Sequence, residues 1–316
     1  MPGRSRTTPA SPTEPVEPGH AAPSSADEIT DATLAEVASG LDALDVPQQS
    51  RTPWWRIAIR TLLPPLVAVI LLIAVWQFLW SLALWPEYKL PAPAEVYGHF
   101  ADLVTTGDAW SVLWVSVHRA LIGFAFAIVI GIPLGLLIGT VPVIRAAIGP
   151  LVTGLQTLPS VAWVPAAILW FGIEPATMYA VILLGSVPSI ANGLVAGLDQ
   201  IPTILPRVGK VLGAKGLTMS RHILLPAALP GFLAGLKQGW AFSWRSLMAA
   251  ELIANSPQLG VGLGQLLQQG KELNSMSRLL TAIFLILIVG ILVDLLLFRP
   301  LERRVLAARG LTGARG

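Results

Sequence analysis

The sequence contains no cysteine among its 316 residues, so disulfide bonds, thiolate metal sites and cysteine nucleophiles are excluded. It also lacks a GxxxxGK[ST] loop, the Walker A motif that cradles the phosphates of ATP, so any ATP must be bound by another chain. Histidine is scarce, and its four positions show no spacing typical of metal ligands: His20, His99, His118 and His222. We therefore predict no catalytic site, no metal site and no cofactor in this chain.

Charged residues are rare, at 12% of the sequence against about 25% in an ordinary soluble domain. Hydrophobic residues make up 54%, which is more apolar surface than a globular core can hide. The net charge of +3 is small, and no basic face on a soluble fold is visible, which argues against nucleic-acid binding. The composition predicts an integral membrane protein that lipid partly solvates.

The apolar residues are concentrated in six blocks, each close to the roughly 20 residues that a helix needs to cross a bilayer, or longer. The blocks cover residues 62–84, 120–140, 144–171, 176–198, 227–253 and 279–298. We predict an all-α polytopic fold with six transmembrane helices. The third block is too long for one straight span and contains Pro150, Pro159 and Pro165. It should form a kinked helix, or a helix followed by a re-entrant segment.

Basic residues predict the orientation, because short loops rich in lysine and arginine stay in the cytoplasm. An N-terminus inside the cell places most of the 21 basic residues on the cytoplasmic side, with the C-terminus there too. Residues 1–50 are rich in proline, serine and threonine and should form a disordered tail, with a short amphipathic helix possible over residues 29–44. Residues 51–305 form the membrane domain, and residues 306–316 a second cytoplasmic tail.

The longest inward loop, residues 199–226, contains a pattern that predicts a short helix over residues 207–217, ended by Gly216. A short helix in the cytoplasm needs a partner to bury its apolar side. That side would consist of Val208, Val211, Leu212 and Leu217.

Within this loop, Gly213 is followed by nine residues, then Ile223, one further residue, Leu225 and Pro226. This spacing resembles the second half of the EAA loop of permeases from binding-protein-dependent ABC importers. In that family the loop forms a coupling helix in a cleft of the ATPase subunit. The resemblance implies ATPase coupling by Arg207, Val208, Gly209, Leu212, Gly213, Ala214, Leu217, Ile223, Leu225 and Pro226. The chain departs from the pattern at the Glu-Ala-Ala positions, which hold Arg207, Val208 and Gly209, so the contact of that glutamate cannot be carried over.

A second resemblance narrows the family. Residues 158–172 read LPSVAWVPAAILWFG, and three further runs accompany them: Leu90-Pro91-Ala92-Pro93, Ser116-x-x-Arg119-x-x-x-Gly123-Phe124, and Ala249-Ala250-Glu251. All are similar to permeases for alkanesulfonates, taurine and nitrate, over about residues 62–305. The resemblance implies a permease homodimer in the bacterial inner membrane, two cytoplasmic subunits that bind ATP-Mg, and an extracytoplasmic solute-binding protein. An aliphatic sulfonate is the first candidate solute, with nitrate, taurine, bicarbonate or a thiamine precursor as alternatives.

Charged residues in the last two blocks should face protein or a water-filled path, because a charge at the bilayer centre costs about 2.5–3.5 kcal/mol. Lys237, Trp244, Arg245 and Met248 share one stripe of the fifth block. A guanidinium suits sulfonate or nitrate oxygens, and Trp244 would brace that of Arg245. The candidate path residues are Lys237, Trp244, Arg245, Met248, Glu251 and Trp163. Alternatively, Lys237 or Arg245 pairs with Glu251 or with backbone carbonyls and locks helices together. Asp294 is expected to be a packing residue near the inner surface.

Small residues in the second block predict close helix packing, since Gly131, Gly135 and Gly139 recur every four residues and Gly123 extends the stripe. Three other classes of protein fit the sequence less well. An ion-coupled secondary transporter would show inverted repeats and midplane ion sites, a membrane enzyme would show a polar catalytic cluster, and a scaffold would not need the loop motif.

Overall fold

The structure is a computed structural model that describes residues 54–309 apart from residues 255, 257 and 258. The predicted tail over residues 1–50, with its amphipathic helix, therefore lies outside the described residues, as does most of the C-terminal tail. The chain divides into two compact units, Met1–Ile70 and Leu71–Gly316. The second unit contains every predicted site residue.

The described residues form α-helices joined by short turns, as a chain surrounded by lipid must to satisfy its backbone hydrogen bonds. In chain order these helices are α1 (Trp54–Ser81), α2 (Pro93–Thr105), α3 (Asp108–Thr140), α4 (Pro142–Thr157), α5 (Val164–Phe171), α6 (Pro175–Asp199), α7 (Ile204–Val211), α8 (Gly216–Met219), α9 (Leu225–Ile253), α10 (Leu263–Glu272), α11 (Met276–Val293) and α12 (Arg299–Ala307). A 3₁₀ turn, Ser160–Trp163, precedes α5, and wider π-helical turns, Ser220–Leu224 and Asp294–Phe298, precede α9 and α12.

Four helical stretches in the described part of the chain are long and apolar enough to cross a membrane. They are Leu63–Ser81, Asp108–Thr140, Pro175–Asp199 and Met276–Ala307. The all-helical membrane fold predicted from the sequence is therefore confirmed. The fifth predicted block corresponds to α9, which is 29 residues long but less apolar than these four because it contains Lys237, Arg245 and Glu251.

The third predicted block is broken, as its prolines indicated. The helix Pro142–Thr157 and the helical stretch Ser160–Phe171 meet at a bend of 99°, and together they count as a fifth candidate span. The break falls at Leu158 and Pro159, whose backbones are extended. Pro150 lies inside α4 without interrupting it. The bend accords with both predicted forms, a kinked helix or a helix followed by a re-entrant segment.

The glycine stripe of α3 packs against α6, so the prediction of close helix packing is confirmed. A Cβ atom on Gly131 would lie 2.7 Å from Ile190 Cγ2, and one on Gly135 would lie 2.8 Å from the Ala191 carbonyl oxygen. Gly123 meets Ile182 in the same way. Along this stripe the α3 backbone therefore contacts α6 directly, as small residues allow in membrane proteins.

A second glycine pairing, which the sequence analysis missed, joins the centre of α6 to α9. A Cβ atom on either Gly193 or Gly235 would lie within 3.0 Å of the Cα atom of the other. One turn along, Gly197 and Gly231 repeat the contact. Each helix thus contributes a small-xxx-small pair, and the two backbones touch where they cross. This contact places α9 at the core of the molecule, against α6.

Candidate functional site

The loop with the motif spacing begins with a helix that ends earlier than predicted. The helix α7 covers Ile204–Val211, whereas the sequence favoured residues 207–217. Gly213, not Gly216, ends it: Gly213 has φ +82°, its N–H donates to the Lys210 carbonyl (3.1 Å), and the Ala214 N–H donates to the Gly209 carbonyl (2.9 Å). This pair of bonds is a Schellman cap, which needs a left-handed residue that glycine supplies without strain. Leu217 therefore belongs to α8.

The two ends of the motif touch each other through a buried glycine. A Cβ atom on Gly209 would fall within 3.0 Å of Ile223 Cδ1, and 3.0 Å from Met219 Sδ. Gly209 occupies one of the positions where the chain departs from the Glu-Ala-Ala pattern, and a larger side chain there would require Ile223 and Met219 to shift. Leu225 and Pro226 then open α9, directly after the π-helical turn Ser220–Leu224.

The same segment presents apolar side chains that nothing in the described part of the chain covers. Val211, Leu212 and Leu217 are 86%, 78% and 80% exposed, and Val208 is about half exposed. The basic residues around them are also exposed: Arg207, Lys210 and Lys215. An apolar patch with a charged rim is typical of a protein interaction site. We call residues 207–226 the coupling segment.

Lys237, on α9, forms an ion pair with Asp294, where the π-helical turn after α11 begins. Lys237 Nζ lies 2.5 Å from Asp294 Oδ1, but the angles at this contact do not fit a hydrogen bond. Arg299 Nε lies 3.6 Å from Asp294 Oδ2. The side chain of Lys237 is nearly half exposed. Asp294 thus joins α9 to α11, in keeping with its expected packing role.

Arg245 is exposed on α9 and is held within its own helix. Its Nε donates to the Ala241 carbonyl (3.0 Å), and its guanidinium lies 4.7 Å from the centre of the Phe242 ring. The expectation that Trp244 braces this guanidinium is wrong, because Trp244 is buried and stacks on Trp240. Phe242 takes that place. Among residues 54–309 that the structure describes, both partners of Arg245 lie on α9, so these contacts do not lock it to another helix.

The other predicted path residues differ in exposure. Met248 is half-buried and packs against the core, and Trp163 is half-buried in the 3₁₀ turn that contacts α6 and α9. Trp244 and Glu251 are buried. In this conformation only Lys237 and Arg245, of the six, present exposed charge.

Glu251 lies in a buried network that sequence reasoning did not foresee. Its carboxylate accepts bonds from Arg119 Nη1 (3.1 Å), Ser116 Oγ (2.8 Å) and the Gly264 N–H (3.0 Å). Arg119 also donates to the Leu259 carbonyl. The Ser-x-x-Arg run and the Ala-Ala-Glu run noted in the sequence therefore meet at one point. The sequence signal for this contact was that Arg119 and Glu251 have opposite charges and are predicted at the same membrane surface.

A further ion pair lies where the loop leaves α6. The Arg145 guanidinium, on α4, makes two bonds to the Asp199 carboxylate, at 2.8 and 2.6 Å. Asn192 Nδ2 also donates to Gln156 Oε1 (2.8 Å) between the same helices. Because Arg145 and Asp199 are about half exposed, water screens their attraction and the pair contributes little to stability. Within the described residues, no cluster of three or more carboxylates or histidines is arranged to hold a metal ion.

Comparison with known sequences gives one consistent family. Residues 131–306 match the profile described as "Binding-protein-dependent transport system inner membrane component". The chain is 28% identical over 263 residues to the "Putative aliphatic sulfonates transport permease protein SsuC" of Bacillus subtilis, covering 83% of this chain and 91% of that one. It is 30% identical over 239 residues to the "Taurine transport system permease protein TauC" of Escherichia coli (74% and 85%). It is 30% identical over 258 residues to the "Nitrate import permease protein NrtB" of Synechocystis (78% and 91%).

A solved structure shares the fold. It is a chain of the MetNI methionine ABC transporter in inward-facing conformations, with a TM-score of 0.53 and 22% identity. The match covers 61% of this chain and 93% of that one.

Proposed function

Because this chain belongs to the binding-protein-dependent family of inner membrane transport components, and is therefore an ABC importer permease rather than an enzyme, we propose that it carries a small oxyanion, with an aliphatic sulfonate as first candidate. Relatives of similar identity are named for sulfonates, taurine and nitrate, which all present sulfonate or nitrate oxygens. The exposed cation Arg245 on α9 supports an oxyanion, whereas Lys237 is paired with Asp294 in this conformation. Bicarbonate or a thiamine precursor is the second candidate.

The coupling segment is proposed as the docking site of the ATPase. The observation that carries this is the exposed apolar surface of Val211, Leu212 and Leu217, which is rigidly presented because the Schellman cap and the contact of Gly209 with Ile223 fix its shape. The proposed assembly contains two copies of this chain, two ATPase subunits that bind ATP-Mg, and an external solute-binding protein. Both termini lie in the cytoplasm, where the basic residues of the segment also belong.

The connection from this segment into the membrane is direct. The helix α8 runs through the turn Ser220–Leu224 into α9 without an intervening loop. A displacement of the coupling segment by closure of the ATPases is thereby passed to α9, which carries Lys237 and Arg245. Transport then requires only two conformations of the permease that are close in energy. The ATPase on the cytoplasmic side favours one of them, and release of the ATP hydrolysis products favours the other.

The path itself is proposed to follow the face of α9 with Lys237 and Arg245. Exposed charges at hydrocarbon depth are costly, so this face must meet water or the second copy of the chain. Met248, three residues after Arg245, shares this face, and both Met248 and Trp163 are half-buried. Trp244 and Glu251 contribute to packing in this conformation. An ion-coupled secondary transporter is not proposed, because the family of the chain is that of ABC importers.

Replacing Arg245 by alanine is expected to lower uptake of the anionic solute about tenfold, because the path loses an exposed positive charge. The substitution should hardly change the stability of the protein, since the side chain is exposed. Arg245→Lys should keep most of the uptake. The measurement is solute uptake into proteoliposomes that contain the assembled transporter, with ATP inside and the binding protein outside. Lys271→Ala, at another exposed cation, is the matched control and should transport normally. Unchanged uptake by Arg245→Ala would remove Arg245 from the path.

The solute is tested by growth of a deletion strain on single nutrients. Loss of growth on an aliphatic sulfonate as the only sulfur source, restored by the intact gene, is the expected result. Loss of growth on nitrate as the only nitrogen source would reassign the permease to nitrate. Growth unaffected on sulfonates, taurine and nitrate alike would contradict the oxyanion proposal.

A further inference from the structure

The segment between α9 and α10 is shaped around the Glu251 carboxylate. A Cβ atom on Gly262 would lie 2.5 Å from both carboxylate oxygens, and one on Gly264 would lie 2.6 Å from Glu251 Cβ. Gly260, with φ +68°, provides the turn that leads into this fit. Three alternating glycines therefore let the backbone of residues 259–264, here called the glycine segment, close over one buried acid.

The same segment is tied to α3 as well as to α9. Arg119, on α3, donates to the Leu259 carbonyl while also bonding Glu251. Ser116, one turn earlier, accepts the Leu263 N–H (2.8 Å) and donates to Glu251. The contact is thus a three-way junction of α3, α9 and the glycine segment. Glu251 is 0% exposed, so removing one charged partner leaves the other buried and unpaired, which is strongly destabilising.

The position of Glu251 along α9 connects this junction to the coupling segment. The helix α9 runs from Leu225, beside the coupling segment, to Ile253, two residues beyond Glu251. If the ATPase rotates or tilts α9 at the end beside the coupling segment, the movement must act on the junction at the other end of the helix. The junction holds the only carboxylate of α9, and the exposed cations Lys237 and Arg245 lie between the two ends.

We propose that Glu251 and Arg119 form a latch that holds the glycine segment against α3 and keeps the external end of the path closed in the inward-facing state. The proposal rests on the proposed function, which places this end of α9 outside the cell. Movement of α9 driven from the coupling segment withdraws Glu251 from Arg119 and frees the segment. Glu251 and Arg119 are therefore positioning residues that control access, and they do not contact the solute.

The absence of native cysteine makes a direct test possible. Leu259→Cys places a thiol on the glycine segment at a side chain that is 7% exposed, while its carbonyl can still accept from Arg119. Adding Glu251→Gln to this variant is expected to speed its labelling by a membrane-impermeant maleimide in intact cells about fivefold or more. Val261→Cys, already exposed on the same segment, should label at the same rate with and without Glu251→Gln.

A second readout separates a latch from a purely structural role. Glu251→Gln in the assembled transporter should raise ATP hydrolysis in the absence of binding protein, whereas simple loss of stability would only lower it. Glu272→Gln, an exposed acid at the end of α10, is the control and should change neither readout. If Glu251→Gln does not fold, Ser116→Ala removes only hydroxyl bonds of the same junction and should shift both readouts in the same direction.

The latch would be overturned if Glu251→Gln left the labelling rate of Leu259→Cys unchanged. It would also be overturned if Glu251→Gln made labelling faster without raising basal ATP hydrolysis. Solute uptake by the unmodified transporter is measured in the same preparations. If the unmodified transporter takes up solute but Glu251→Gln does not change the labelling rate of Leu259→Cys, the latch alone is refuted. If the Leu259→Cys thiol is labelled from the cytoplasmic side, the proposed orientation is refuted.

Discussion

A permease carrying both Leu212→Asp and Leu217→Asp is expected to reach the membrane at its normal level and to lose ATP-driven uptake. Both side chains are about four-fifths exposed, so neither substitution disturbs the fold, and exposed changes of this kind alter stability by about 0.5 kcal/mol or less. In the assembled transporter the same side chains are proposed to be buried against the ATPase. Removing two apolar anchors there should cost about 3 kcal/mol or more, over a hundredfold in affinity.

The measurement is co-purification of the ATPase subunit with the permease, together with ATP hydrolysis stimulated by loaded binding protein. Val143→Asp is the matched control, because Val143 is equally exposed, is predicted on the same side of the membrane and lies outside the coupling segment. It should retain the ATPase. Normal co-purification and stimulated hydrolysis in the double variant would show that the ATPase docks elsewhere.

Gly193→Leu is expected to abolish the folded protein, and Gly193→Ala to lower its stability by about 1–3 kcal/mol. The reason is the crossing of α6 and α9, where a Cβ atom on Gly193 would lie within 3.0 Å of Gly235 Cα, so the two backbones must separate. Gly235→Ala should act similarly because the contact is reciprocal. The double variant should cost less than the sum of the two, since helices already pushed apart accommodate the second methyl.

Gly154→Ala provides the comparison for these variants. Gly154 also lies inside a helix, but a Cβ atom there would meet nothing within 4 Å among the residues that the structure describes. Alanine at this position should be neutral or stabilising by about 0.5–1 kcal/mol through helix propensity. Thermal midpoints in detergent, with the fraction of monodisperse protein, report both effects. Equal midpoints for Gly193→Ala and Gly154→Ala would contradict the close crossing.

The membrane fold was predictable from the sequence because lipid imposes a simple rule on the chain. A helix facing hydrocarbon must be apolar over about 20 residues, and such blocks are visible without knowledge of what they contact. The rule weakens for α9, which packs against α6 and contains Lys237, Arg245 and Glu251. Neighbouring protein, not lipid, decides what such a helix tolerates.

The coupling segment shows where local reasoning stops. The sequence contained two glycines, Gly213 and Gly216, each able to end a helix, and both adopt positive φ in the structure. Choosing between them depends on the capping bonds and on the packing of Gly209 against Ile223, fourteen residues along the chain. The capping bonds are local, but the packing of Gly209 against Ile223 joins two separate helical elements, so the predicted end of the helix was wrong although its location in the loop was right.

Charge pairing was the least predictable part of the site. The sequence supplied Arg119, Glu251, Lys237 and Asp294, but not which pairs with which. Arg119 and Glu251 lie 132 residues apart, and their meeting depends on how three helices pack. Lys237 and Arg245 both expose charge on α9, and helical periodicity alone predicts that they share a face.

The most direct test of the account is the location of the coupling segment, measured with a single cysteine at Leu212 in this cysteine-free chain. An impermeant maleimide should leave the Leu212→Cys thiol unlabelled in intact cells, label it in inside-out vesicles, and label it slowly when the ATPase subunit is bound. Rapid labelling in intact cells, or labelling in vesicles that the ATPase does not slow, would contradict the claim that this segment receives the motion of a cytoplasmic ATPase.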